Sequence, residues 1–280
     1  MREIHVSQIT DTVEKLCMEA NYFLPDEITN AIQEGYDRET SDTGKDILLQ
    51  ILDNQQIASS EEVPLCQDTG TTNVFIDMGQ DVHIIGGDLH EAVNEGVRRG
   101  YEKGYLRKSI VRDPLNRVNT GDNTPAMMHV DLTRGETFHI TVMPKGGGCE
   151  NMSALKMLRP SDGRQGVIDF VVDRVFNAGG NPCPPLVLGI GIGGTFDIVA
   201  ANAKKALLRG IGNRHPEKHV ADLEEEIKRI CNETGVGPMG LGGITTVLEV
   251  NIETAPTHIA SLPVAMCVNC HSSRYKSASL

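Results

Sequence analysis

The chain has 280 residues, 39% apolar and 23% charged, enough for a real core in one large domain or two modest ones and too apolar for a disordered chain. Its formal net charge of −12, with no long basic run, makes nucleic acid and anionic membrane poor partners. An anionic substrate would need a local pocket of Arg, Lys and backbone N–H groups.

Residues 3–60 read as helical, and the charged start, Met1 to Ala20, lacks a signal-peptide core. Ile9, Val13, Leu16 and Ala20 form one face of a first helix, with Cys17 as a packed neighbour. Pro25, followed by Asp26 and Glu27, starts a second helix carrying Ile28, Ile32 and Tyr36. A third, Lys45 to Gln55, buries Ile47, Leu48, Ile51 and Leu52. Next comes the densest polar stretch, Cys66-Gln67-Asp68-Thr69, between turns fixed by Pro64 and Gly70. Val74-Phe75-Ile76 reads as a strand anchoring it. Such a loop is either a site of chemistry or an ordinary turn with a structural thiol.

Strands are expected over 73–78 and 82–85, then a helix Leu89–Lys103 capped by Gly86-Gly87-Asp88, with Leu89, Val93, Val97 and Tyr101 inward. Leu106 to Pro125 is irregular and carries Arg107, Lys108, Arg112 and Arg117, an anion-facing loop unless these are simply solvated. Strands 126–132 and 137–143, joined by a turn at 133–136, lead to Lys145-Gly146-Gly147-Gly148-Cys149-Glu150. The three glycines bare backbone N–H groups as an oxyanion cradle, or else form a flexible connection.

A helix Arg164–Phe176 and a buried strand Leu186–Ile192 follow, with Cys183 held between Pro182 and Pro184. That strand is the longest apolar run and is broken by glycines, so no membrane span is expected and a cytoplasmic location is. Gly189 to Gly194 formally contains G-x-G-x-x-G and precedes a helix Phe196–Arg209. A dinucleotide site needs a second strand ending in an acidic residue about 20 residues on. Here Asn213 to Glu217 is a loop, which excludes it, and there is no Walker-type loop. Helix 220–232, with Cys231 packed at its end, a glycine-rich turn Gly235–Gly243 and a strand Ile244–Ile252 complete the pattern.

Seven cysteines, an odd number, argue for buried thiols or ligands rather than a disulfide framework. Cys267-Val268-Asn269-Cys270-His271 is only half of a zinc site. Cys66, Cys183 and Cys270 each stand at a turn beside a strand, 117 and 87 residues apart, so only the fold could unite them. Three thiolates on a four-iron cluster would leave one iron open as a Lewis acid.

Pro64-Leu65-Cys66-Gln67-Asp68-Thr69-Gly70, Lys145-Gly146-Gly147-Gly148, Cys183-Pro184-Pro185 and the Pro263 to Cys270 segment resemble, in order over nearly the whole chain, the class I iron–sulfur hydro-lyases. These are the oxygen-sensitive fumarate hydratases and their L-tartrate dehydratase relatives. The resemblance implies a [4Fe-4S] cluster on Cys66, Cys183 and Cys270. It implies substrate contacts from Gln67, Asp68, Arg107, Gly146, Gly147, Gly148 and His258, with Asp68 and His258 as catalytic groups. Cys149-Glu150-Asn151 departs from the Ser-Ala-Asn usual in single-chain relatives, and Cys149 is read as a bystander. Those relatives continue into a C-terminal domain that supplies the base, whereas this chain stops ten residues after Cys270. It therefore resembles the alpha subunit of the two-subunit form, with a beta subunit and a small dicarboxylate as its partners.

The expected fold is α/β (mixed α+β) in one hydro-lyase domain, 1–280. A helical segment, 1–60, precedes a core, 61–280, of mixed sheet with flanking helices and cluster-binding loops at strand ends. The expected activity is reversible hydration of fumarate to L-malate. L-tartrate dehydratase or a related dicarboxylate hydratase is the near alternative, and a metal-stabilised binding scaffold without activity the alternative of another class.

Overall fold

The computed structural model describes residues 1–280. Its elements run β1 (Arg2–His5), α1 (Val6–Tyr22), α2 (Asp26–Arg38), α3 (Asp42–Glu61), β2 (Thr71–Gly79), β3 (Val82–Ile85), α4 (Leu89–Lys103), β4 (Met127–Thr133), β5 (Phe138–Lys145), α5 (Gly147–Glu150), β6 (Ala154–Leu158), α6 (Gly163–Ala178), β7 (Leu186–Gly193), α7 (Phe196–Ala206), α8 (Lys218–Glu233), β8 (Val247–Ala255), β9 (Leu262–Asn269) and β10 (Lys276–Ser279). The fold class is mixed α/β, as expected. No helix is long and apolar enough to cross a membrane. The chain forms two compact units, one from 1–24, 54–147 and 274–280, the other from 25–53 and 148–273.

The first unit is built on a four-stranded sheet in the order β10-β5-β2-β4. β2 runs parallel to β4 and antiparallel to β5. The expected β4–β5 hairpin therefore does not form, because β2 lies between the two strands. Residues 3–5, read as helical, are instead in β1, which pairs in parallel with β3. The helix begins only at Val6, where the His5 side chain and Gln8 make a capping box. The apolar stripes of α1 (Ile9, Val13, Leu16) and α4 (Val93, Val97, Tyr101) share one core with Val74, Ile76, Phe138, Ile140 and Val142 of the sheet.

The second unit carries the sheet β6-β9-β7-β8. Parallel β7 and β8 are buried along most of their length, and antiparallel β9 lies on the other side of β7. Val167, Val171 and Val175 of α6 and Val220 and Ile227 of α8 pack against Leu186, Leu188, Ile190, Val250 and Ile252. The glycines of the discarded dinucleotide motif have a packing reason. A Cβ on Gly189 or Gly191 would collide with the carbonyl oxygens of Ala203 or Val199, so their absence lets the backbone of α7 lie against β7.

Glu39 ties α2 to the glycine-rich turn before β8. It is 2% exposed, and its carboxylate accepts from the backbone N–H groups of Thr40, Ser41, Ile244 and Thr245. Burial alone would raise its pKa, but the N–H donors outweigh burial and hold it below the usual carboxylate value. A depressed folded-state pKa contributes stability that is present above the unfolded value and lost as pH falls through the folded one. Glu39→Gln is expected to cost about 2 kcal/mol in urea unfolding at neutral pH. The same change should flatten the acid limb of stability against pH, and an unchanged acid limb would contradict this role.

Candidate functional site

In the first unit the candidate site is the Cys66–Gly70 loop, and almost every polar group in it is held. Leu65 at its entrance donates its N–H to the Asn21 carbonyl and accepts from Asn54 Nδ2 at 2.9 Å. The buried Tyr101 hydroxyl lies 2.7 Å from the Thr69 carbonyl and 3.1 Å from that of Gly70, and Asn123 Nδ2 donates to the Gly70 carbonyl at 3.2 Å. Arg274 Nη2 donates to the Asp68 carbonyl. Gly70 has φ +77, and a Cβ there would stand 2.7 Å from the Lys145 backbone, so glycine is required for the loop to close against the end of β5.

The loop's own side chains are arranged by these anchors. Asp68 Oδ1 accepts from the Gly70 N–H at 3.0 Å and Oδ2 from the Gly147 N–H at 2.8 Å. The glycine cradle thus orients a carboxylate of the protein itself, and this brings together Cys66, Gln67, Asp68, Gly146 and Gly147. The Asp68 N–H points at Cys66 Sγ, 3.4 Å away, and the thiol in turn lies 3.3 Å from Gln67 Oε1. Thr69 Oγ1 donates to the Arg107 carbonyl at 3.1 Å, tying that backbone to the loop while its guanidinium stays exposed.

The second unit places Cys183 and Cys270 at one end of its sheet. Cys183 precedes β7, Cys270 follows β9, and the His271 N–H meets the Cys183 carbonyl at 3.4 Å. Cys183 has φ +55, a left-handed conformation uncommon for a residue with a Cβ and of the kind concentrated at functional sites. Cys149 is buried on the same flank, its Sγ 3.5 Å from the Pro182 carbonyl. Gly148 lies in the short helix α5.

His258 is elsewhere. It lies between β8 and β9, in a segment pinned by the Thr257 hydroxyl to the Gly194 carbonyl at 3.0 Å, beyond the far end of β7. At about 3.3 Å per residue, β9 carries the chain roughly 23 Å back from Leu262 to Asn269. His258 and the Cys183–Cys270 pair are therefore at opposite ends of this sheet, and the unit does not bring them together. The imidazole is exposed beside Phe196, Ile198 and Met157, with Nδ1 accepting the Ala260 N–H at 3.1 Å.

No three His, Cys, Asp or Glu side chains converge as ligands of a single metal ion. A four-iron cluster makes a different demand, since each thiolate binds its own iron. Exposure sorts the seven thiols as candidates for such binding. Cys66, Cys183 and Cys270 are the partly exposed ones among the seven, and the other four are buried. Burial pushes the Cys17 thiol far up and that of Cys231 up to about 12, which makes both poor ligands. Arg274 also fits an anionic group, because its buried Nε and Nη1 have no partner.

Tyr101, Asn123 and Arg274 are not among the site residues that the sequence singles out. Tyr101 was legible only as core. Arg274 left a faint signal, a cation four residues after Cys270 and directly after Ser272-Ser273.

The sequence matches the family described as Fumarate hydratase (Fumerase) over residues 10–279. It is 46% identical over 275 residues to the "Putative L(+)-tartrate dehydratase subunit alpha" of Methanocaldococcus jannaschii, covering 95% of each chain. It is 33% identical over 273 residues to the "L(+)-tartrate dehydratase subunit alpha" of Escherichia coli K12, covering 96% of this chain and 89% of that one. With a match running over almost its entire length, the chain belongs to the fumarate hydratase (Fumerase) family of hydro-lyases, on its alpha-subunit branch.

Proposed function

We propose that this chain is the cluster-bearing alpha subunit of an iron–sulfur hydro-lyase that hydrates fumarate to L-malate. The observation that carries the proposal is the sorting of the cysteines. The three thiols at turn-bounded loop positions are the partly exposed ones, and the rest are buried. Cys66 of the first unit and Cys183 and Cys270 of the second are the proposed ligands. When bound, the cluster would supply an open iron as Lewis acid for the oxygen that is added to fumarate as water or lost from L-malate as its hydroxyl.

The chain's own residues bind and orient the substrate. Arg107 pairs with one carboxylate through its exposed guanidinium. Gln67 offers an amide beside Cys66. Asp68, its two oxygens fixed by the Gly70 and Gly147 N–H groups, is a proton acceptor of set direction. The Gly147 N–H is taken up by Asp68, so Gly146 and Gly148 are the backbone contacts left for the substrate. His258 lies at the other end of its own sheet from Cys183 and Cys270, so within that unit it is not beside the two proposed ligands.

The names of the relatives favour a second reading, dehydration of L-tartrate. Both reactions break a carbon–oxygen bond beside a carboxylate, or form it in reverse, and move a proton on the neighbouring carbon. The same grips serve either. The deciding experiment assays the anaerobically assembled enzyme on both substrates and measures its metal. About four iron and four sulfide per alpha chain are expected, with kcat/KM for fumarate exceeding that for L-tartrate by about 10²-fold, some 2.7 kcal/mol of discrimination. The reverse preference establishes the tartrate reading. Zinc without sulfide sinks both and leaves a binding scaffold.

A further inference from the structure

Arg274 is 3% exposed, and its position has no use in the scheme so far. It enters the first unit just before β10, and Nη2 donates to the Asp68 carbonyl. Nε and Nη1 are buried without any hydrogen-bond partner. Its guanidinium forms none of the chain's ion pairs with a carboxylate, and the nearby Asp68 carboxylate is engaged by Gly70 and Gly147 instead. A guanidinium buried with two donor nitrogens unmatched is strongly unfavourable unless an anion offsets it.

We propose that Arg274 is the buried countercharge of the Cys66–Gly70 loop, a positioning residue that holds the Asp68 carbonyl and offsets the negative charge the cluster brings to Cys66. This rests on the cluster reading above. The substrate is the other anion in prospect, but both orphan nitrogens are shut off from solvent, so a diffusing dicarboxylate has no route to them. A charge resident in the protein needs no route. It acts through the short chain from Arg274 to Asp68 and from the Asp68 N–H to Cys66 Sγ, which lies 3.4 Å away. Hydrogen bonds and charges around a cluster set its reduction potential. A nearby cation favours the state with the extra electron.

The test uses the assembled enzyme, purified anaerobically, with Arg274→Gln and Arg274→Lys beside the unaltered protein. Iron and sulfide are counted, and the midpoint potential is read by dithionite titration with mediators, followed by absorbance and electron paramagnetic resonance. The Gln variant is expected to titrate at a more negative potential, and the Lys variant, which keeps the charge, close to the unaltered enzyme. A loaded Gln variant with an unshifted potential overturns the proposal, since a purely structural arginine would change stability or KM and leave the potential alone. Should the Gln variant fold without a cluster, the Lys variant decides. A loaded Lys variant at the native potential supports the countercharge, and an unloaded one overturns it. Absence of iron and sulfide from the unaltered enzyme removes the cluster reading itself, and this inference with it.

Discussion

Serine at position 66, 183 or 270 is expected to abolish cluster retention in each case and to take the hydro-lyase activity with it. The loss should reach at least about 10³-fold in kcat, because the proposed open iron would supply several kcal/mol of transition-state stabilisation. Cys17→Ala and Cys231→Ala should keep iron, sulfide and turnover, at a stability cost of about 1 kcal/mol each for the small volume removed from a packed core. The contrast rests on exposure. Cys17 and Cys231 are both at 0% exposure within apolar clusters, whereas the three proposed ligands reach solvent. Cys149, buried against the Pro182 carbonyl, is expected to be dispensable as a ligand, so Cys149→Ala should also retain its cluster. The assay is iron and sulfide per chain after anaerobic purification, alongside far-ultraviolet circular dichroism to confirm folding. A Cys66→Ser protein carrying a full, stable cluster would falsify the assignment.

What the sequence made legible is local, and what it hid is long-range. The stripes of α1, α4 and α8 and the start of α2 at Pro25 follow from spacing and capping chemistry, which neighbouring residues determine. The pairing of β2 between β4 and β5 could not be read, since a turn at 133–136 suggests a hairpin whether or not a third strand intervenes. β6 and β10 are not legible as strands, and the strand beside Cys270, β9, is not legible in its extent. That was the costly omission, because Cys270 and His258 are twelve residues apart and look like neighbours. Only an extended strand between them reveals that they occupy opposite ends of a sheet. The candidate site divides in the same way. Cys66, Gln67 and Asp68 announce themselves by compression between Pro64 and Gly70. Tyr101, Asn123 and Arg274, which grip the carbonyls of that loop, come from 31 to 206 positions away and carry no local motif. The glycines at 146–148 were legible as a cradle, but that Asp68 of the same protein rests in it was not.

Alone, this chain is expected to be at best a feeble enzyme even with its cluster reconstituted, with kcat/KM at least about 10³-fold below that of a two-chain complex. Two lacks account for this. A dicarboxylate brings two negative charges, and the cation proposed to meet it is the single exposed guanidinium of Arg107. Arg274 is sealed from solvent and cannot serve as the second. Proton transfer is equally short of groups. Asp68 is the one proposed acceptor on the Cys66 loop, and His258 stands at the other end of its sheet from Cys183 and Cys270. A pocket left open to water also weakens every charge interaction within it, because the effective dielectric stays high. The relatives' designation as alpha subunits accords with a second polypeptide, and the missing cation and base are expected to come from it. The measurement is turnover of fumarate and of L-tartrate by purified, reconstituted alpha chain, before and after adding the separately purified beta subunit. Activity should rise steeply on addition and saturate at one beta per alpha. The converse variant is informative too. Arg107→Lys in the complex should raise KM more than it lowers kcat, since it removes bidentate binding made in both ground and transition states. If the alpha chain, free of any other polypeptide, turns over either substrate at the rate of the complex, the site is complete in this chain and the partner has another purpose.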